Sequence, residues 1–352
     1  MIKQFIFICG TALIFGACTS KLAPVAENAV KPTVVTEQVP NDTDDPAIWV
    51  NPNDSTEVII VGTDKHEKTG GLYAYDMDGK IINKVTPLDR PNNVDIAYGL
   101  EIDGKLVDIA VLTERGTNKI RVFSMPELKP LDNGGIEVFV GETERSPMGI
   151  ALYTKKDSTG NKIYAVVGRK SGGADNYLFQ YELSVDAGVV KGKKVREFGK
   201  FQGGKEIEAI AVDNELGYIY YSDEGFGIHK YYADPAKGNE ELALFGQKDF
   251  KSDHEGIALY KSTDSTGYIV ISNQQNNSFN IYPREGAAGN AHLHEILAEV
   301  PVSAVECDGA DAISMPIGTK FPKGMLVAMS NGMVFHYYDW RIFQEAVDKG
   351  RM

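Results

Sequence analysis

Asp44-Asp45-Pro46-Ala47-Ile48-Trp49 decides the fold: it is an acidic step followed by a compact apolar strand, and its shape returns five more times along the chain. The later copies are Asn93-Val94-Asp95-Ile96-Ala97-Tyr98, Pro147-Met148-Gly149-Ile150-Ala151-Leu152, Ile207-Glu208-Ala209-Ile210-Ala211-Val212, His254-Glu255-Gly256-Ile257-Ala258-Leu259 and Asp308-Gly309-Ala310-Asp311-Ala312-Ile313. Their spacing of roughly 50 to 60 residues lies slightly above that of a propeller blade. A second apolar strand follows each copy, at 58–62, 107–112, 163–168, 218–221, 268–272 and 325–329. A third follows at 72–75, 120–123, 177–183, 228–232, 279–282 and 333–338, and several of these alternate apolar with polar residues. Fourth strands are fainter, as at 80–85 and 194–198, and helix is expected only as a short C-terminal turn at 340–347. The pattern predicts an all-β protein, a six-bladed β-propeller whose closed ring hides its sheet edges. The last blade lacks room for a full fourth strand, so residues 33–39 are expected to supply it. The period is too long for a parallel β-helix and too regular for an open sandwich.

The beginning of the chain reads differently. Met1-Ile2-Lys3 is basic, and residues 5–15 form an apolar run of about eleven residues, too short to span a bilayer. This is the layout of a secretory signal. It ends at Gly16-Ala17-Cys18, small residues before a cysteine, as bacterial lipoprotein signals do. The expected organisation is a signal over 1–18, a tether and ring-closing strand over 19–40, and a propeller over 41–352. Cys18 is the expected lipidation site, placing the protein outside the cytoplasm on a bacterial membrane, at its periplasmic or cell-surface side. The alternative is ordinary signal cleavage nearby with Cys18 lost. Cys9 would leave with the signal, so Cys307 alone remains in the body and makes no internal disulfide; core burial must supply stability. A monomer is expected. The net charge of −13 excludes nucleic acid as a partner. A polyanionic substrate would then need bound divalent cations to reverse the local field.

In a propeller the innermost strands all start at one end of the central channel. Asp44 or Asp45, Asp95, Glu208, Glu255, and Asp308 with Asp311 are therefore expected to ring one mouth. Carboxylates so close repel one another and stay ionised only with cations between them. An oxygen-only cluster suits calcium, and the near absence of His and Cys from the repeats counts against zinc. Taken singly, each acid is better read as capping its own strand; five of six repeats carrying one shift the reading to metal. The second strands end in Asp64-Lys65, Glu114-Arg115, Arg169-Lys170, Asp223-Glu224, Asn273-Gln274 and Ser330-Asn331. One side of the mouth is thus expected to be basic and the other acidic, with a phosphate ester lying across the boundary. Lys65, Arg115 and Arg169 would hold its oxygens, unless they are only turn residues on the surface. There is no GxSxG elbow, P-loop or HExxH, and His254 has no partner at nucleophile-triad spacing.

Five of these stretches carry a resemblance. Asp44-Asp45-Pro46-Ala47-Ile48-Trp49, Asn92-Asn93-Val94-Asp95-Ile96, Phe179-Gln180-Tyr181-Glu182-Leu183, Asp253-His254-Glu255-Gly256 and Asp308-Gly309-Ala310-Asp311 match in order and spacing. From about 42 to 340 the chain resembles the β-propeller phytases, the calcium-dependent alkaline phytases of bacteria. The resemblance implies a six-bladed propeller with several Ca2+ ions at its top face. It places Asp45, Glu208, Glu224, Glu255 and Asp311 on the catalytic calcium cluster, Lys65 and Arg115 on phosphate, and Asp308 near a structural calcium. It implies a 3-phytase-like hydrolysis of phytate, or of other inositol phosphates, bound as calcium complexes. A metal-bound water would attack phosphorus in line, releasing inorganic phosphate without a covalent enzyme intermediate. The chain departs from the family at Met148, where tyrosine is common, and at Arg169, followed by Lys170, where lysine follows glycine. Ser330-Asn331 is also less acidic than the family pattern. Met148 favours the alternative of a non-catalytic, surface-tethered propeller that binds a ligand or protein. A calcium-dependent propeller lactonase or esterase is a third reading, opposed by Lys65 and Arg115, because a neutral ester needs no such clamp.

Overall fold

Short apolar runs broken by glycine and polar turns pair with their sequence neighbours, because closing a short hairpin orders the least chain. A computed structural model describes residues 22–158 and 160–350, and the signal and Cys18 lie outside them. The strands form six four-stranded sheets. Blade 1 is Thr43–Val50, Val58–Asp64, Gly70–Tyr75 and Ile81–Leu88. Blade 2 is Pro91–Ile102, Lys105–Glu114, Lys119–Ser124 and the short Ile136–Glu137. Blade 3 is Pro147–Asp157, Gly160–Arg169, Asp175–Asp186 and Val189–Lys200. Blade 4 is Ile210–Asp213, Tyr218–Asp223, Gly227–Tyr232 and Glu241–Phe245. Blade 5 is His254–Lys261, Gly267–Asn273, Ser278–Pro283 and Ala298–Pro301. Blade 6 takes Ala310–Ile313, Met325–Ser330 and Val334–Asp339 from the end of the chain and Val34–Val35 from its beginning.

That last pairing closes the ring. Val34 lies opposite Tyr337 and Val35 opposite His336, antiparallel. The amides of Thr33 and Val39 extend the seam onto the carbonyls of Tyr337 and Met333, at 2.8 and 3.0 Å. The residues before it also lie on the ring: the Ala23 amide bonds the Gln275 carbonyl at 2.8 Å, and Val30 pairs with Val302.

The core sits between blades. Ile109 and Val111 of blade 2 pack with Ile150, Leu152, Ala165 and Val167 of blade 3, all buried. Each such Val, Leu or Ile side chain contributes about 1.5–3 kcal/mol when fully buried. Hydroxyls add a repeated latch, from the second strand of one blade to the first strand of the next or the residues just before it. Thr113 donates to the Met148 carbonyl, Ser222 to that of His254, and Ser272 to that of Cys307. Two glycines let the inner strands close up. A Cβ on Gly149 would stand 1.7 Å from the Glu208 carbonyl oxygen, and one on Gly309 would stand 2.3 Å from Asp45 Oδ1. The C-terminal turn is longer than expected, a helix over Trp340–Gly350. Trp340 stacks on Tyr260 with ring centroids 3.7 Å apart, which docks the helix on blade 5. Cys307 is a buried free thiol. No helix among the described residues is long and apolar enough to cross a membrane.

Candidate metal centre at the channel mouth

The start of each inner strand pairs with the end of the second strand: Thr43 with Asp64, Pro91 with Glu114, Pro147 with Arg169, His254 with Asn273. Antiparallel pairing thus carries the acidic steps and the second-strand tips to the same end of the channel. Two groups of three carboxylates form there, Glu206 with Glu208 and Glu224, and Glu224 with Asp253 and Glu255. In each, ligand-capable oxygens lie within 4.8 Å of one another. Glu224 belongs to both. Glu206 and Asp253 were missed in the sequence, although the signal is present. Glu206-Ile207-Glu208 and Asp253-His254-Glu255 place two acids at i and i+2, and extended chain points such residues the same way. The intervening His254 turns instead to Ser222, through Nδ1.

Asp253 is met by Lys205, Ser252 and Gln275, whereas Glu224 is short of partners. Glu208, Glu224, Asp253 and Glu255 are buried, and Glu224 Oε1 has no hydrogen-bond partner. Burial first, then Glu206 and Asp253, pushes the Glu224 carboxyl up to about 9. Burial also raises Glu208, helped by Asp44 and Asp308, and raises Glu255, helped by Asp308 and Glu224. A site that holds its carboxyls this unwillingly as anions is one that a cation would complete. The donor set is all oxygen, and the neighbouring soft donor, Cys307 Sγ, is spent on the Gly309 carbonyl at 3.3 Å. The residues present fit a hard divalent ion such as calcium.

Basic and amide groups stand around the acids. The Lys65 ammonium lies 2.8 Å from Asp44 Oδ1 and is ion-paired with Asp308. Burial acts to lower its pKa, but Asp44, Asp308 and Glu208 outweigh that and raise it. Asp44 Oδ2 has no hydrogen-bond partner. Gln274 Nε2 donates to Glu255 Oε2 and to Asp308 Oδ1, both at 2.7 Å. Arg115 Nη1 donates to Asn92 Oδ1 at 3.0 Å, and Asn92 in turn donates to Glu208. Lys170 is ion-paired with Glu206, and Lys205 with Asp253.

Three expected ligands stand elsewhere. Asp45, Asp95 and Asp311 line the wall of the central channel, a cavity of about 1320 Å³. Asp45 of blade 1 accepts the Val94 amide of blade 2 at 3.1 Å. Asp95 of blade 2 accepts the Leu152 amide of blade 3 at 2.7 Å, and Asp311 of blade 6 accepts the Ile48 amide of blade 1 at 2.8 Å. The remaining oxygens of Asp95 and Asp311 take the amides of Ile96 and Ala312, each at 2.7 Å. The single ring of acids is therefore corrected to two tiers. These three sit further along the strand than the mouth and staple adjacent inner strands together. Burial still pushes Asp95 up to about 7 and Asp311 to about 6.

Arg169 is also corrected. It is 3% exposed, with its guanidinium 5.2, 5.4 and 5.5 Å from the ring centroids of Phe139, Tyr177 and Phe179. Its Nη1 donates to Glu142 at 2.7 Å. Successive residues at a strand end point to opposite sides, so Lys170 faces the mouth while Arg169 faces the core. Met148 is buried, and its carbonyl serves the Thr113 latch.

A family model described as phytase matches residues 9–335 of the chain. The protein belongs to the phytase family. A 3-phytase of Bacillus subtilis (strain 168) is 31% identical over 296 residues, spanning 81% of this chain and 73% of the relative. Solved structures resemble this phytase-family chain in fold alone. An α-L-arabinofuranosidase of Fusarium graminearum has a TM-score of 0.56 at 12% identity, covering 89% of this chain and 99% of its own. A luciferin-regenerating enzyme has a TM-score of 0.50 at 13% identity, covering 87% and 95%.

Proposed function

We propose that this protein is a calcium-dependent phytase that releases inorganic phosphate from myo-inositol hexakisphosphate at the channel mouth. The observation that carries the reading is the shared Glu224, buried between two carboxylate groups with one oxygen unpartnered. Family membership and the 3-phytase relative support the substrate. Glu206, Glu208, Glu224, Asp253 and Glu255 are the residues that would hold the ions. Bound there, calcium supplies the positive charge that draws in a polyanion and stabilises charge developing on the transferred phosphoryl group. The chain's own groups do the rest. Asn92 and Gln274 fix the Glu208 and Glu255 carboxylates by hydrogen bonds. Lys65, Arg115 and Lys170 orient phosphate oxygens from the basic side. Asp45, Asp95 and Asp311 act one step back, holding the inner strands in register.

Phosphate release from phytate, assayed with calcium and with a chelator, tests the reading. Release only with calcium is expected; no release in either condition, from folded protein, overturns it. Export and acylation at Cys18 belong to the same proposal, supported by Gly16-Ala17-Cys18 after the apolar run. Labelled fatty acid should enter the wild-type chain and not Cys18→Ser; equal labelling of both would refute it.

A further inference from the structure

Each of the two carboxylate groups has a lysine on its outer acid. Lys170 is ion-paired with Glu206, and Lys205 with Asp253. Their side chains are 45% and 47% exposed, so each ammonium reaches inward from a largely solvated stem. Lys205 follows Gly203-Gly204, where Gly203 has φ +78° and open space around it. The acids are only 20% and 8% exposed, so water reaches each pair from its lysine side. A divalent cation binding either group draws on a carboxylate that a lysine also holds, and at equal distance its double charge is favoured.

We propose that Lys170 and Lys205 are exchangeable counter-ions: each rests on its carboxylate until a divalent cation takes that oxygen, then turns its ammonium to a phosphate of the substrate. The proposal rests on the phytase reading of the mouth. It adds Lys205 as a substrate-binding residue and couples the two binding events. Calcium frees the bases that the substrate uses, and substrate removes the bases that compete with calcium. It also sharpens the substrate class. Lys65 and Arg115 stand at the tips of blades 1 and 2, Lys170 at the tip of blade 3, and Lys205 on the loop into blade 4. A ring carrying several phosphates offers each of these bases an oxygen of its own.

Lys205→Met tests this, with Lys205→Arg beside it. Calcium affinity is read by calorimetry on metal-free protein without substrate, and KM is read for phytate and for p-nitrophenyl phosphate. In Lys205→Met, calcium should bind about fivefold more tightly. KM for phytate should rise by a similar factor, and KM for p-nitrophenyl phosphate should stay constant. Lys205→Arg should restore the phytate KM. A lysine that served only the fold would move both affinities the same way or neither, and calcium affinity unchanged or weakened in folded Lys205→Met overturns the exchange. If Lys205→Met fails to fold, Lys205→Gln is read by the same two measurements, with the same outcomes deciding. Should wild type release no phosphate from phytate, the phytase reading fails and takes the substrate half with it; calcium affinity still decides the counter-ion half.

Discussion

The mouth and the channel wall are built from the same acidic steps, yet they treat carboxylates in opposite ways. On the wall, Asp95 and Asp311 have both oxygens met by backbone amides, one of them from the next blade. At the mouth, Glu224 keeps an oxygen with no partner, and its neighbours are balanced by half-exposed lysines and by side-chain amides. An acid satisfied by the backbone is structural. An acid left short of donors among other acids is waiting for a cation.

The largest expected effect is on the mouth. Glu224→Gln should lower phosphate release by at least ~100-fold, since it removes one ligand from both groups. The melting temperature of the metal-free protein should hold at neutral pH and rise toward pH 9, because Gln cannot ionise where burial disfavours the Glu224 carboxylate. Near-normal turnover in a phosphate assay would break the division between the tiers. Asp95→Ala should do the reverse. Two amides lose their acceptor, so stability should fall by about 2–4 kcal/mol in a urea titration, while the folded fraction still turns over. A stable but inactive Asp95→Ala would return it to the metal site.

The pH dependence of the metal-free protein separates the tiers more finely. Unfolded, these carboxyls ionise near 4. Folded, burial raises Asp311 to about 6, Asp95 to about 7 and Glu224 to about 9. Between those limits the folded state binds more protons, so stability falls as pH rises from about 4 to about 9. Melting temperatures measured with and without calcium should show the loss above pH ~7 removed by the ion. Below that pH the Asp95 and Asp311 share of the loss should persist with calcium, while the Glu224 share, which accrues over the whole interval, is removed. The smallest effect is expected from Thr113→Val, which deletes one latch and should cost about 1 kcal/mol by urea titration. A cost above that of Asp95→Ala would mean that hydroxyls, not carboxylates, are the main staples between blades.

Much of this was readable in advance. Six repeats of an acidic or polar step and an apolar strand led to the propeller, and the missing strand of the last blade led to residues 33–39, where Val34–Val35 is found. Glu208, Glu224 and Glu255 were expected at a common mouth and meet there. Glu206 and Asp253 were overlooked because only the acid nearest the apolar strand was counted. Adjacent residues were the harder case. Asp44 turns to Lys65 at the mouth and Asp45 to the Val94 amide on the wall. Arg169 turns inward and Lys170 outward.

Periodicity is local, so hydrophobic spacing along the chain was enough to establish strand count, blade count and the end of the ring at which acids collect. The role of each acid depends on a distance the chain does not encode locally, the gap between its oxygen and an amide on the next blade. Glycines such as Gly149 and Gly309, which let neighbouring inner strands approach, set that gap. Only the assembled ring therefore separates the carboxylates that the backbone satisfies from those left for an ion.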